Sequence, residues 1–268
     1  MEKTKIDWAD ATWNPVTGCH HNCTYCYARN IAHRFSSGGE KWCEDDDIHV
    51  LNEKFYGSDG EDDKANPYPF GFQPTFHKYH LDDYKNKKGK TIFVCSMADL
   101  FGDWVPDEWI EEIFRVCDEA PQHRYLFLTK NPERYIELYH KGILPKADNM
   151  YYGASVTTVE MMKHFEKVFR NIPSTIPTFV SIEPLLEDIT SEEEWNDIMM
   201  SRYVDWVIVG AETGKRKNKV IPEYSWIKSI EFSCYDNNIP IFMKSSLTHI
   251  LHTGELIQEF PWEEIGGK

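Results

Sequence analysis

The sequence predicts an α/β fold in which helices cover a parallel β-sheet. Six short runs rich in β-branched and aromatic residues recur from residue 91 onward. Their first residues lie 26 to 33 residues apart, so each interval has room for a helix and its loops. Strands of near-continuous apolar character that alternate with helices are typical of a parallel sheet. With an extended segment near Asn14 as the first strand, the chain contains six β/α units and a final strand.

Each element has its own local signal. The predicted strands are 91–97, 124–130, 150–156, 178–184, 206–212 and 239–245. Between them apolar residues recur at helical spacing, as they do over 27–35, where we expect the first helix. Pro106 suits the first turn of a helix, and Thr158 is a candidate N-cap. Ser191 and Glu194 form a capping box before another apolar run.

Residues 36–90 interrupt this regular pattern. They mix glycine, proline, acidic and aromatic residues and carry too few periodic apolar residues for a core of their own. We therefore expect an insertion within a single domain that spans 1–268. A loop of this length is usually functional. One interpretation is a lid over the site, anchored by Phe70, Phe72 and Phe76; the other is a solvated excursion that touches nothing.

Composition and charge limit the class of function. The 268 residues suit one barrel-sized domain, and the net charge is −15, with 44 acidic against 29 basic residues. Such an acidic chain is a poor binder of bulk nucleic acid, so a small-molecule substrate is favoured. The sequence has no apolar run typical of a signal peptide or a membrane span. We expect a cytoplasmic protein without a membrane partner. The seven cysteines fit that compartment, because four of them are scattered without a disulfide-like pattern and three lie close together.

A C-x3-C-x2-C array follows the first predicted strand. Its members are Cys19, Cys23 and Cys26. Three thiolates this close together can converge on one metal centre if the backbone loops tightly around it. An iron–sulfur cubane held by three cysteines leaves one iron open to a small molecule. A structural zinc ion is the alternative and requires a fourth ligand. The histidines available for that ligand are His20, His21 and His33.

Four further segments carry a family resemblance. They are WNPVTGC (13–19), FVCSMADLF (93–101), LTKNPER (128–134) and VIVGAETG (207–214). Together with the cysteine array they resemble the phage-associated three-cysteine radical S-adenosylmethionine (SAM) family, from about Ile6 to Lys244. The resemblance implies a partial (β/α)6 TIM-like barrel of the radical SAM type, with an extra final strand and a lid-like insertion. It also implies a [4Fe-4S] cluster, SAM, and an electron donor such as flavodoxin or ferredoxin.

Polar residues follow the predicted strands, where such barrels collect their chemistry. Charged and hydroxyl groups at the ends of apolar strands are costly when buried without partners, so we interpret them as a site. In the SAM pocket we expect Tyr25, Ser96, Asp99, Lys130, Ser155 and Glu183. The Ser96–Asp99 turn would meet the SAM amino group and Lys130 the carboxylate. Alternatively, Lys130 only pairs with Glu133 and Tyr25 only packs the cysteine loop.

The remaining polar strand ends would face the substrate. We expect Glu212 and Lys244 to be catalytic and Asn14 to contact substrate. A basic loop comprises Lys215, Arg216, Lys217 and Lys219. On an acidic protein this loop suits a phosphate, although a solvated charge run is the plainer interpretation.

The resemblance implies a lyase that releases queuine from the small-molecule nucleotide queuosine 5′-phosphate. Two alternatives stay open at this point. One is a radical SAM modifier of nucleic acid or of another nucleotide. The other is a zinc-stabilised, non-catalytic nucleic-acid-binding protein.

Overall fold

The computed structural model of this protein describes residues 4–36, 48–56, 64–201, 203–214, 216–251 and 256–263. The chain divides into two compact units. Unit 1 comprises Met1–Thr4 and Ala9–Arg134, and unit 2 comprises Lys5–Trp8 and Tyr135–Lys268. That the whole chain forms one domain, with an insertion over 36–90, stays a prediction.

Unit 1 is built on three parallel strands with an added small sheet. Its described strands are β1 (Ala11–Trp13), β2 (Val16–Thr17), β3 (His49–Leu51), β4 (Thr75–His77), β5 (Thr91–Val94) and β6 (Arg124–Thr129). Its described α-helices are α1 (Tyr27–Phe35) and α2 (Asp107–Glu119). The first helix thus has the bounds that the apolar spacing predicts.

Strands β1, β5 and β6 pair in parallel, with β5 in the middle. Three side chains of β5, Ile92, Phe93 and Val94, are buried, which accounts for the continuous apolar run in the sequence. Because parallel strands all run in one direction, their carboxyl ends meet at one edge of the sheet. The residues that follow these strands are therefore brought together, and among them are Asn14, Ser96 and Lys130.

The small sheet of unit 1 joins the predicted insertion to the segment before the cysteines. Strand β2 pairs antiparallel with β4, and β4 pairs in parallel with β3. Phe76 on β4 is fully buried, with its ring centre 5.2 Å from that of Trp109 on α2. Phe72 is buried too, whereas Phe70 stacks on His49 at 3.8 Å. The insertion is therefore packed around β4, whereas residues 52–56 are exposed, and its action as a lid stays a prediction.

Unit 2 contains four parallel strands in chain order. They are β7 (Met150–Ser155), β8 (Thr178–Ile182), β9 (Val207–Val209) and β10 (Ile241–Met243). The helices are α3 (Glu133–His140, which starts at the end of unit 1), α4 (Val159–Phe169), α5 (Glu193–Met200) and α6 (Tyr224–Asp236). Trp206, fully buried, lies at the centre of an aromatic cluster with Trp8 at 6.3 Å and Phe179 at 5.8 Å between ring centres.

The helix starts are partly as predicted. Thr158 caps α4, since its hydroxyl accepts the N–H of Met161 at 3.3 Å. Pro106 was expected in the first turn of α2 but is its N-cap, directly before the first helical residue. The capping box at Ser191 is wrong. Ser191 ends a 3-10 turn that starts at Ile189, and its hydroxyl donates to the carbonyl of Asp188 at 3.1 Å.

The capping box does not form because hydrogen bonds to Asp188 hold Ser191 in the 3-10 turn. The carboxylate of Asp188 accepts both the N–H and the hydroxyl of Thr190, at 3.1 and 2.7 Å, and so stabilises the turn. Helix α5 therefore begins after Glu192, whose side chain makes no capping bond.

The predicted fold class is confirmed. Along the described chain a helix follows each of the parallel strands β1, β5, β6, β7, β8 and β9, and β10 ends the series. This is the α/β succession expected of a partial (β/α)6 barrel with an extra final strand. Within the described residues, no helix combines the length and the apolar composition that crossing a membrane requires.

Candidate cofactor site

The cysteine loop of unit 1 begins at Gly18. This residue has φ +87°, in the left-handed region that favours glycine, and a methyl group there would lie 2.1 Å from the carbonyl oxygen of Gln73. The N–H of Gly18 donates to the carbonyl of Met97 at 2.9 Å, and the N–H of Cys19 donates to that of Phe72 at 3.1 Å. The first cysteine is thus fixed between the end of β5 and the packed insertion.

The three thiols of the loop are free and half-buried. Two of them accept backbone hydrogen bonds: the sulfur of Cys19 from the N–H of His21 at 3.5 Å, and that of Cys26 from the N–H of Arg29 at 3.4 Å. The second bond makes Cys26 the N-cap of α1. A turn between Cys23 and Cys26, with N–H to carbonyl at 3.2 Å, closes the loop. Hydrogen bonds to sulfur are a feature that tunes iron–sulfur centres.

The donor set suits an iron–sulfur cluster, because three cysteine thiols within eight residues are the soft ligands that such a cluster takes. Among the described residues, no group of three His, Cys, Asp or Glu side chains is arranged to hold a single metal ion. Burial raises the pKa of the Cys19 thiol to about 12, so the metal-free thiol is protonated at neutral pH.

Asp99 ties the cysteine loop to the ends of two strands. Its buried carboxylate accepts four hydrogen bonds from the protein. The donors are His21 Nε2 at 2.7 Å, Thr129 Oγ1 at 2.7 Å, the N–H of Lys130 at 2.8 Å and the N–H of Phe101 at 3.1 Å. Burial alone would raise the pKa of Asp99, but the bonds and charge of His21, with the other donors, hold it below its ordinary value. The expected contact of Asp99 with the SAM amino group stays a prediction.

Other predicted residues of unit 1 lie in the same neighbourhood. The side-chain oxygen of Asn14 accepts the hydroxyl of Ser96 and the N–H of Met97, both at 3.1 Å. The ammonium of Lys130 lies 5.9 Å from the ring centre of Tyr25. The structure therefore gathers the predicted unit 1 residues around the cysteine loop, although their contacts with a cofactor or substrate stay predictions.

Trp104 is a residue of this neighbourhood that the sequence interpretation missed, and His21 was considered only as a zinc ligand. Trp104 lies edge-on to both His20 and His21, with ring centres 5.0 Å apart in each case. A methyl group on Gly102 would lie 2.3 Å from the Trp104 indole, so any larger residue there would have to displace the indole. A histidine between two cysteines of the array, together with an aspartate just after a strand, was the available signal for the His21–Asp99 pair.

Unit 2 holds an ion pair between two predicted site residues. The ammonium of Lys244 bonds to the carboxylate of Glu183, and both side chains are largely buried, at 15% and 25% exposure. Lys244 lies across Gly210, where a methyl group would come within 3.0 Å of it. Ser155 is buried at the end of β7. The assignments of Glu183 and Ser155 to SAM and of Lys244 to catalysis stay predictions.

Glu212, the other predicted catalytic residue, is buried and bound by Arg216. The guanidinium donates to both carboxylate oxygens, at 2.7 and 2.6 Å, and these bonds lower the pKa of Glu212. Arg216 thus already has an anionic partner within the chain. Lys217 and Lys219 are exposed, and Lys215 lies outside the described residues. The expected phosphate contact of this basic loop stays a prediction.

Comparison with known proteins places the chain in a family. No curated protein matches this sequence. Among solved structures, it is similar to spore photoproduct lyase complexed with dinucleoside spore photoproduct, with a TM-score of 0.47 and 11% identity. The match covers 87% of this chain but 62% of that one, so the chain spans about three fifths of that protein's length. A family match covers residues 3–254, and the chain belongs to the family described as "Protein of unknown function (DUF5131)".

Proposed function

We propose that this protein is a radical SAM enzyme that works with a [4Fe-4S] cluster. The observation that carries the proposal is the cysteine loop itself. It presents three free thiols in eight residues, it starts at a glycine that no other residue replaces without a clash, and Asp99 anchors it. When bound, such a cluster supplies the electron that cleaves SAM to methionine and a 5′-deoxyadenosyl radical, and the protein then orients the substrate and excludes water.

The residues of unit 1 have distinct roles in this proposal. Cys19, Cys23 and Cys26 would hold the cluster, and SAM would bind at the part of the cluster that these cysteines leave open. Lys130 supplies a cation for the carboxylate, while Tyr25 packs against the adenine. Their closeness, 5.9 Å from ammonium to ring centre, supports a shared ligand. For unit 2 we propose that Ser155 and Glu183 receive the ribose hydroxyls.

We further propose that the substrate is queuosine 5′-phosphate and that the enzyme releases queuine, as the queuine lyase of the family it resembles does. Lys217 and Lys219 are exposed on a chain whose net charge of −15 would otherwise repel a phosphate. The bound cofactors would supply hydrogen abstraction from the ribose, which would weaken the neighbouring bond to the base. The lysines would hold the phosphate and so orient the ribose toward the cofactor.

The site implies partners. Cleavage of SAM consumes an electron from outside the protein, for which flavodoxin or ferredoxin is our proposed donor. We propose a cytoplasmic location, because thiols stay reduced there.

Metal analysis and product analysis test the first proposal. The chain is reconstituted anaerobically with iron and sulfide and then incubated with SAM and a reductant. We expect roughly four irons per chain and the release of 5′-deoxyadenosine and methionine. Colourless protein that retains zinc would support the non-catalytic alternative, and S-adenosylhomocysteine would indicate a methylating modifier.

The substrate is tested in the same assay. Queuosine 5′-phosphate should yield queuine only when SAM is present. If SAM is cleaved but queuine does not exceed the SAM-free control, the substrate is another one. Lys130→Ala and Glu183→Gln test the cofactor contacts by equilibrium dialysis of SAM. An unchanged affinity in both variants would show that SAM binds elsewhere.

A further inference from the structure

We infer that His21 and Asp99 form a positioning couple, which directs the backbone N–H of His21 at the sulfur of Cys19 and so favours the reduced state of the cluster. The inference rests on the proposed function, because it concerns the centre that the three cysteines would hold. It adds a residue that ligates nothing but sets the hydrogen bonding of one ligand.

Asp99 is the member of the couple that the fold holds in place. Asp99 is buried, and donors other than His21 hold its carboxylate in place: Thr129, at the end of β6, and the N–H groups of Lys130 and Phe101. Three bonds from two separate segments determine both the position and the orientation of the carboxylate. The Asp99 carboxylate is therefore rigidly held, and its Oδ2 atom also accepts a hydrogen bond from the cysteine loop.

His21 is the second member of the couple, and its ring is held in place by Asp99. Its Nε2 lies 2.7 Å from Asp99, and its ring packs edge-on against Trp104 with centres 5.0 Å apart. Trp104 is in turn confined by its close approach to Gly102. The ring is thus held both by a hydrogen bond and by packing. Only two side-chain torsions separate the ring from its own backbone, so fixing the ring also fixes the direction of the N–H.

That N–H points at a cluster ligand. It lies 3.5 Å from the sulfur of Cys19, and the other N–H to sulfur bond of the described loop runs from Arg29 to Cys26 at 3.4 Å. The Arg29 bond depends on the first turn of α1, whereas the His21 bond depends on Asp99. A donor at sulfur stabilises the added negative charge of the reduced cluster, so losing the His21 bond should make the cluster harder to reduce.

Two variants of His21 separate this role from a merely structural one. His21→Ala removes the side chain that reaches Asp99, whereas the side chain of His21→Gln still carries an amide N–H toward it. The control is Tyr27→Phe, which removes a bond of the same length, 2.7 Å, from Tyr27 to the carbonyl of Ser96 but leaves the sulfur contacts intact. All three changes are made in the full chain, reconstituted anaerobically and compared with the unaltered protein.

The first measurement is the midpoint potential of the cluster, obtained by redox titration followed with electron paramagnetic resonance. The second is the hydrogen-exchange rate of the backbone amide of residue 21 in cluster-free protein. At a fixed solution potential we expect the ratio of reduced to oxidised cluster in His21→Ala to fall about fivefold, the equivalent of one hydrogen bond. The amide should exchange faster in the same variant. His21→Gln should recover most of both losses, and Tyr27→Phe should match the unaltered protein.

The outcomes are distinguishable from those of the proposed function. If the unaltered chain takes up no iron, the proposed function fails, and the amide exchange rates alone then decide whether Asp99 fixes the His21 backbone. If iron is bound but His21→Ala keeps the original potential, the inference is overturned while the proposed function stands. Equal potentials in His21→Ala and His21→Gln would also overturn it. Should His21→Ala not fold, His21→Phe takes its place, because its ring still packs against Trp104 but cannot bond to Asp99. It should then show both losses, and a potential equal to that of the unaltered protein would overturn the inference.

Discussion

The backbone of Gly18 passes so close to Gln73 that a single methyl group on Gly18 would lie 2.1 Å from the Gln73 carbonyl oxygen. Gly18 opens the cysteine loop, and Gln73 belongs to the insertion, just before β4. The close approach therefore joins the loop that presents the thiols to a segment that lacks any periodic sequence pattern. The shape of the loop depends on that contact.

Gly18→Ala should destabilise the protein far more than another change of the same type. It combines the cost of a left-handed backbone with a backbone clash, together about 3 kcal/mol or more. The matched control is Gly142→Ala, at φ +75° with nothing within 4 Å of the added methyl group, which should cost about 1–2 kcal/mol. Urea unfolding of both variants measures the difference, and equal losses would contradict the close contact.

Replacing the loop cysteines should abolish the cluster. Each of Cys19→Ala, Cys23→Ala and Cys26→Ala removes one iron ligand, so visible absorbance, bound iron and SAM cleavage should all be lost. Cys95→Ala is the control, because Cys95 is a buried cysteine outside the array, directly after β5, and alanine keeps its Cβ at φ +57°. If the variant that combines all three cysteine changes still cleaves SAM, the proposed function is contradicted.

Glu183 and Lys244 should show strong energetic coupling. Replacing either one leaves the other as a largely buried, unpaired charge, which is costly, whereas replacing both leaves none. In a double-mutant cycle of Glu183→Gln and Lys244→Met, we expect a coupling free energy of about 1–3 kcal/mol in unfolding experiments. Strictly additive losses would mean that the two side chains do not interact in solution.

Neutralising the basic loop should discriminate between two forms of the substrate. Lys217→Gln with Lys219→Gln should raise KM for queuosine 5′-phosphate about tenfold or more and leave the unphosphorylated nucleoside nearly unaffected, because only the phosphate meets the lysines. Arg216→Gln is measured separately, since it also removes the partner of Glu212. Equal changes in KM for both compounds would argue for a solvated charge run.

His77 should make the protein sensitive to mild acid. Burial, assisted by the nearby His80, lowers the pKa of His77 from 6.5 to about 4. Between these pH values the unfolded chain binds the proton and the folded one does not, so stability falls as the pH falls. The contribution is about 3 kcal/mol from pH 6.5 to 4. Denaturant titrations at several pH values should give His77→Gln a flatter dependence than the unaltered protein; identical slopes would refute this origin.

The sequence predicted the strands well because parallel strands buried on both faces have an unmistakable composition. The run 150–156 became β7, with all six residues of Met150–Ser155 buried. Helix α1 was equally clear, since its apolar spacing is local. Such signals need only neighbouring residues, and so one sequence suffices to recognise them.

The links that shape the site were not predictable in this way. His21 and Asp99 are separated by 78 residues, and no periodicity connects them. Strands β3 and β4 are three residues long and are defined by pairing with distant partners rather than by their own composition. Whether Arg216 faces a phosphate or Glu212 likewise depends on tertiary contacts. The sequence identified the chemical groups, and the fold determined which of them already had partners.

The small sheet of unit 1 also has a consequence for biosynthesis. Thr17 of β2 lies two residues before Cys19 and contacts His77 of β4, which follows it by 60 residues. His21 bonds to Asp99, which follows it by 78 residues. At roughly 5–20 residues per second, a ribosome needs about 4–16 s to translate that stretch. During this time the thiols belong to a nascent chain whose cysteine loop lacks these two contacts. A chain released before residue 99 would therefore carry the three thiols on an unsupported loop, and delivery of the proposed cluster would have to follow synthesis of Asp99.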